Sequence, residues 1–323
     1  MEVKLMAYYI GIDIGGTNIA CGIVDDDFNI VARAKVKTNA PRPYAEILED
    51  IKKSVRLACE ELGISPSDAS SIGIGCPGTC NTDGVVEYSN NLGFINVPLR
   101  TDIETEFGVK TYLDNDANAA AFGEFVAGAA KGANNAIAIT LGTGVGSGII
   151  INGKLYSGSN CAGGEIGHTV IVVDGRPCTC GRKGCFEAYS SATGLGKMTA
   201  EAAQLHPDSL LAKQIEEDGK CGARTAYLAM KKGCAVGKEV TESYVKYLAC
   251  GIANVINTFQ PDILCVGGGV CNEGDPLLVP LKALVAKEVY TRNSEKNTQI
   301  VIASLGNDAG IIGAAFLGLA KQN

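Results

Sequence analysis

Two distant segments of this chain carry the same pattern. The apolar run Tyr8–Ile14 ends in Gly15-Gly16-Thr17-Asn18 and resumes at once as Ile19–Val24. Far downstream, Ala136–Thr140 runs into the glycine-rich stretch Leu141–Gly148 and then into Ile149–Ile151. An apolar run, a glycine turn and a second apolar run are the signature of a β-hairpin. Their recurrence predicts equivalent hairpins in two related domains, and the repeat is too short to be a solenoid period. A third glycine turn, Gly267-Gly268-Gly269, closes the apolar run Ile263–Val266.

The stretches between these turns alternate in character. Ile30–Val36 reads as a further strand. Tyr44, Ile47, Leu48, Ile51, Val55 and Leu62 fall at helical spacing, with Gly63 placed to end the helix. Ser71–Gly75 and Thr111–Leu113 read as strands, the second broken by Asp114-Asn115-Asp116. The alanine-rich 117–130 should be helical. Helical patterns dominate 195–258, the longest being Tyr244–Phe259, and Ile300–Ile302 and Ala309–Leu319 read as a last strand and a last helix. At 323 residues the chain is long enough for two cores. The expected organisation is a small α/β domain of residues 1–115 with about 306–323, and a larger one of 116–305 that includes a loop-rich segment.

Glycine turns expose backbone N–H groups in concavities that accept phosphate oxygens, and the missing Cβ lets phosphate come close. Thr17 and Thr143 can add hydroxyl donors. Asp13 cannot bind phosphate itself, but a carboxylate there suits Mg²⁺. A P-loop is excluded, because no Gly-Lys-Ser/Thr is present, and no Gly-x-Gly-x-x-Gly opens a helix after the first strand. One such turn alone is most simply a hairpin turn. Three of them, two as a repeated pair, favour a nucleotide site.

The loop-rich segment holds His168, Cys178, Cys180 and Cys185. Thiolate and imidazole are the ligands of closed tetrahedral zinc sites. Cys178 and Cys180 are closer than the usual zinc spacing, and ordinary reduced thiols are the simpler reading of any one of them. Three thiols within eight residues, beside one of only two histidines, point to a structural zinc. Carboxylates and amides in loops can pair with neighbouring sugar hydroxyls, which singles out Glu165, Glu187 and Asp116. For Asp116 the plainest role is a helix N-cap, and that does not prevent it from presenting an oxygen to a ligand.

Charge limits the partners. Lys and Arg total 28 against 35 Asp and Glu, a net charge of −7, so no broad attraction to nucleic acid or anionic lipid is expected. No apolar run approaches the ~18 residues of a membrane helix, and the N-terminus lacks a signal-peptide core. A cytoplasmic protein with reduced thiols is the expectation.

Taken together, these motifs resemble the ROK family (repressors, open reading frames and sugar kinases), and within it the bacterial glucokinases. The resemblance spans the chain from Asp13-Ile14-Gly15-Gly16-Thr17 to Leu305-Gly306-Asn307-Asp308-Ala309-Gly310. Its most specific part is Gly164-Glu165-Ile166-Gly167-His168 followed by Cys178-Thr179-Cys180-Gly181-Arg182-Lys183-Gly184-Cys185-Phe186-Glu187-Ala188. These match the family's Glu-x-Gly-His and Cys-x-Cys-Gly-x-x-Gly-Cys-x-Glu elements position for position.

The resemblance implies an actin-like ATPase (ribonuclease H-like) fold, with duplicated α/β domains flanking a cleft, and Mg-ATP as phosphoryl donor. The nucleotide would lie on Asp13, Gly15, Gly16, Thr17 and Asn18, on Gly142, Thr143 and Gly144, and, near the adenosine, on Gly267, Gly268 and Gly269. A hexose would lie near Gly78, Asn91, Asn115, Asp116, Glu165, His168 and Glu187, with Asp116 as the base for the 6-hydroxyl. His168 would offer one ring nitrogen to zinc and the other to the sugar. Glucose is the leading acceptor; N-acetylmannosamine, N-acetylglucosamine and fructose remain open. Ser147 stands where such kinases often have glycine, and Phe94 where many glucokinases have tryptophan.

Repressors of the family carry a helix-turn-helix ahead of the kinase-like region. Here the first hairpin starts within about ten residues of Met1, so no such domain is expected. A sensor without activity should lack Asp116 or a phosphate turn, and both are present. The family also implies a homodimer or homotetramer.

Overall fold

In the computed structural model, residues 7–321 are described. The first hairpin is β1 (Tyr8–Ile14) and β2 (Asn18–Asp25), followed by β3 (Ile30–Lys37) and helix α1 (Tyr44–Leu62). Gly63 ends α1 in the left-handed region, at φ 76°. Next come β4 (Ser71–Cys76), three short strands β5 (Thr79–Cys80), β6 (Val86–Ser89) and β7 (Phe94–Val97), and helix α2 (Leu99–Phe107). Strand β8 (Thr111–Asn115) leads directly into α3 (Asp116–Val126).

The second hairpin is β9 (Ala136–Leu141) and β10 (Val145–Ile151), with β11 (Lys154–Tyr156) after it. Helices α4 (Phe186–Ser190), α5 (Ala192–Leu205), α6 (Leu210–Asp218), α7 (Thr225–Lys231) and α8 (Ala235–Phe259) follow the loop-rich segment. Strand β12 (Ile263–Gly267), helix α9 (Asp275–Glu288), strand β13 (Gln299–Ile302) and helices α10 (Asp308–Ala315) and α11 (Leu317–Ala320) are the last of the described elements.

The two large sheets repeat one plan. Their strand orders are β3-β2-β1-β4-β8 and β11-β10-β9-β12-β13. In the first, β1, β2 and β3 form an antiparallel meander, while β1, β4 and β8 run parallel. In the second, β10 and β11 are antiparallel and β12 and β13 parallel. Each hairpin thus opens a sheet of the same order, which is the actin-like ATPase architecture. A small third sheet, β5-β6-β7, is inserted after β4.

The described residues divide into two compact units. One comprises 139–147 and 165–302, and the other the remainder. In the first-sheet unit, Ile10, Ile12, Ile14, Ile72 and Ile74 from the parallel strands are completely buried with Ile47, Ile51 and Val55 of α1. Phe94 is buried in the same core, its ring edge-on to Tyr44 at 5.2 Å. On the other face, α3 and α10 cross at backbone contact. A Cβ on Gly123 would lie 2.2 Å from the Ala309 carbonyl oxygen, and one on Gly313 only 1.7 Å from that of Ala119. The crossing excludes any side chain at either position.

Several elements differ from the sequence expectation, the last helix among them, which is divided at Phe316 into α10 and α11. Helix α3 stops at Val126, not Ala130, because the Glu124 carboxylate takes the Ala129 N–H at 2.8 Å and turns the chain. Helix α8 begins at Ala235, nine residues before Tyr244, with Cys234 Sγ accepting the Gly237 N–H as its cap. Residues 145–148 already belong to β10, so the second glycine turn is confined to 142–144.

Candidate active site

In the first-sheet unit, the chemistry gathers at the carboxyl ends of parallel strands, where open α/β sheets bind ligands. Asp13 lies one residue from the end of β1, in register with Gly75 of β4, which in turn faces Asp114 of β8. The Asp13 carboxyl packs against the first turn of α10, where a Cβ on Gly310 would come within 2.7 Å of it. Burial, and then the charge of Asp116, push its pKa from 3.8 up to about 6. The Cys76 thiol, at the end of β4, is held well above its usual range by Cys80, by burial, and by both aspartates.

Asp116 is the first residue of α3, but it is not the cap. That role belongs to Asn115, whose side-chain oxygen accepts the N–H groups of Ala117 at 2.8 Å and Asn118 at 3.2 Å. The Asn115 Nδ2 donates to the Gly78 carbonyl at 3.1 Å, tying the loop after β4 to the start of α3. The Asp116 Oδ1 accepts the Ala117 N–H at 2.9 Å. Gly78 has φ 112° and a Cβ there would strike the Tyr88 carbonyl oxygen at 2.1 Å. Asn91 flanks the hairpin turn, with its Cβ 3.9 Å from the place a Gly16 Cβ would take.

The two glycine turns are held in the same way. In the first, the carbonyl oxygens of Gly15, Gly16 and Thr17 accept hydrogen bonds from Thr38 Oγ1 (2.6 Å), Ala40 N–H (3.2 Å) and Thr38 N–H (2.9 Å). In the second, the Gly142 carbonyl accepts the Ala192 N–H at 2.9 Å and the Thr143 carbonyl accepts the Thr193 hydroxyl at 2.8 Å. In a trans peptide the C=O and N–H point in opposite directions. Pinning the carbonyls from one side therefore turns the N–H groups of Gly16, Thr17, Thr143 and Gly144 to the other. Thr17, Gly142 and Thr143 are exposed. None of the pinning residues was singled out from sequence, since they come from separate elements.

In the second unit, Gly267 ends β12, and Gly268 follows at φ 96° with its α-carbon against the Leu141 backbone. Gly268 and Gly269 are exposed. Glu165, also exposed, opens the short 3₁₀ turn Ile166–His168. That turn is fixed by Ser147, whose hydroxyl oxygen accepts the Ile166 N–H at 3.3 Å. Ser147 is thus a strand residue supporting the Glu165–His168 segment, not a turn residue. Glu187, in α4, accepts the Val145 N–H at 2.9 Å through Oε2.

His168, Cys178, Cys180 and Cys185 converge, with their ligand atoms all within 4.8 Å of one another. His168 Nδ1 is 3.7 Å from Cys178 Sγ, and the sulfurs of Cys180 and Cys185 are 3.7 Å apart. That separation is far too long for a disulfide. A tetrahedral ion with metal–sulfur bonds of about 2.3 Å needs sulfurs about 3.8 Å apart. The four side chains fit a metal centre.

The ROK family model matches residues 9–321. The chain is 37% identical to a glucokinase of Halalkalibacterium halodurans, covering 98% of this chain and 96% of that one. It is similar in structure to a ROK family glucokinase from Streptomyces griseus in complex with glucose and AMPPNP. That match has a TM-score of 0.81 and 34% identity, over 96% of this chain and 99% of the other. It is also 28% identical to the xylose repressor of Bacillus subtilis, over 97% of this chain and 77% of the repressor. Repeated sheet, paired turns, convergent metal ligands and whole-chain similarity agree, and the chain belongs to the ROK family.

Proposed function

We propose that this ROK-family sugar kinase transfers the γ-phosphoryl group of ATP to the 6-hydroxyl of glucose, with Asp116 as general base. The observation that carries the reading is that Asp13 and Asp116 flank Gly75 of β4: Gly75 is in register with Asp13, and a Cβ on it would lie 3.5 Å from the Asp116 α-carbon. Two carboxylates at the ends of parallel strands can divide the work. Asp13 suits the cation that accompanies ATP, and that cation neutralises charge on the transferring group. Asp116, presented by α3 and steadied by the Asn115 cap, takes the hydroxyl proton as the O6–P bond forms and the bond to ADP breaks. Phosphoryl transfer depends mainly on positioning and charge stabilisation, so a weak base suffices.

The outward-turned amides of residues 16–17 and 143–144 would receive phosphate oxygens. Gly267, Gly268 and Gly269 would face the adenosine. Gly78, Asn91, Asn115, Glu165, His168 and Glu187 would line the sugar. For His168, the Nδ1 directed at Cys178 leaves Nε2 for a hydroxyl. Zinc is the ion that the donor set of three thiols and one imidazole suits, and held there it would order the sugar-binding loop.

The similarity to glucokinases supports glucose over N-acetylmannosamine, N-acetylglucosamine and fructose. ADP release with Mg-ATP and each of these sugars, alongside Asp116→Asn, tests the reading. Turnover on glucose that collapses in the variant supports both parts. Preference for another sugar overturns the substrate and keeps the base. Sugar binding without turnover would make the protein a sensor.

A further inference from the structure

Glu187 makes contacts on two sides. Its Oε2 accepts the N–H of Val145, the residue that follows the second glycine turn, at 2.9 Å. Its Oε1 faces the metal loop, 3.4 Å from Thr179 Oγ1 and 3.7 Å from Cys178 Sγ. A Cβ on Gly144 would lie 2.2 Å from Oε2, so turn and carboxylate fill adjoining space completely. The backbone repeats the link. The Glu187 carbonyl accepts the Ser191 N–H, and the next two residues, Ala192 and Thr193, hold the carbonyls of Gly142 and Thr143. The metal loop, α4 and the phosphate turn are thus one continuous hydrogen-bonded path.

Contact with a sugar hydroxyl would not by itself require Glu187 to hold the phosphate turn. We infer that Glu187 is a positioning residue that couples sugar binding to nucleotide binding, so that each ligand tightens the other. The inference rests on the sugar-kinase reading above. A carboxylate has acceptor sites enough for the Val145 N–H and for hydroxyls together. Whichever ligand arrives first orders the rotatable Glu187 side chain and the turn it touches, and the second ligand finds both already ordered. The coupling is then reciprocal by linkage.

Gly144→Ala is the decisive variant. The Gly144 φ is not in the left-handed region, and the three atoms nearest the new Cβ all belong to the Glu187 carboxylate. A substitution in the nucleotide turn should therefore weaken sugar binding when no nucleotide is present. Calorimetry on the full, metal-loaded chain should show glucose tightening Mg-ADP by about fivefold or more in the wild type. Glucose alone should bind Gly144→Ala about tenfold more weakly. A melting temperature near that of the wild type establishes that the variant is folded. If it is not folded, the Val145 amide resonance in the wild type decides instead, and it should shift on glucose addition alone. Unchanged glucose affinity in folded Gly144→Ala, or no glucose effect on Mg-ADP in the wild type, overturns the coupling and leaves the kinase intact. A wild type that binds no sugar of the panel overturns the kinase reading, and the inference with it.

Discussion

The Asp13 carboxyl, half-buried one residue from the end of β1, is pushed from 3.8 up to about 6 by its burial and then by the charge of Asp116. The sign of the resulting pH dependence follows directly. Between pH 3.8 and about 6 the folded chain holds a proton at Asp13 that the unfolded chain has lost. Stability from this group is full below the lower value and is lost as pH rises through the upper one. Asp13→Asn mimics the neutral form. Without ligands it should match the wild type at pH 4 and be more stable at pH 7.5, by up to about 3 kcal/mol. Urea unfolding at the two pH values measures this. A stability difference that does not change with pH would show that Asp13 titrates normally. The same variant should bind Mg-ATP poorly at every pH, since it cannot hold the cation.

Asp116 and Asn115 are adjacent, and the base proposed at the first is separable from the cap formed by the second. Asp116→Asn keeps the cap and should lower kcat by about 10²–10⁴-fold with little change in melting temperature. Asn115→Ala removes the acceptor for two N–H groups of α3 and should cost about 1 kcal/mol of stability. It should also lower kcat, since the helix start that carries Asp116 is loosened. Equal stability losses in the two variants would contradict this assignment of the cap.

Much of this was legible in the residues. Both hairpins, the end of α1 at Gly63 and the convergence of His168 with Cys178, Cys180 and Cys185 follow from local composition and spacing. The small sheet β5-β6-β7 did not, because strands of two to four residues carry no readable alternation. Helix α9 was hidden by Pro276 and Pro280, which read as breakers although one sits harmlessly in the first turn. At the site, residue types were legible and their supports were not. Glu187 meets the Val145 N–H across 42 residues, and the carbonyl pins at Thr38 and Ala192 come from elements with no motif of their own.

Removing the metal should act on the sugar before the nucleotide. His168 Nδ1 faces Cys178, so the ion would fix the ring and with it the free nitrogen. If the four side chains hold zinc as proposed, elemental analysis should find it in the wild type and lose it in Cys180→Ser or after treatment with a chelator. The glucose KM should then rise by about tenfold or more. A protein purified with no metal, yet fully active, would reduce the cluster to neighbouring thiols.

The crossing of α3 and α10 makes a prediction far from any ligand. Gly313 lies where a methyl group would meet the Ala119 carbonyl at 1.7 Å, and backbone on both helices leaves no flexible side chain to move aside. Gly313→Ala must separate the helices. Overpacking of this kind typically costs about 1–3 kcal/mol and occasionally more. Alanine favours a helix over glycine by up to about 1 kcal/mol, so the steric term should win and the melting temperature should fall. The two helices also bear on the two carboxylates. Asp116 starts α3, and Gly310 in the first turn of α10 packs on Asp13. Separation should therefore spread the two carboxylates and lower kcat in the folded variant, while Gly219→Ala at the end of α6 should spare activity and cost stability only through its φ of 65°. An unchanged melting temperature for Gly313→Ala would mean that the helices do not meet this closely in solution.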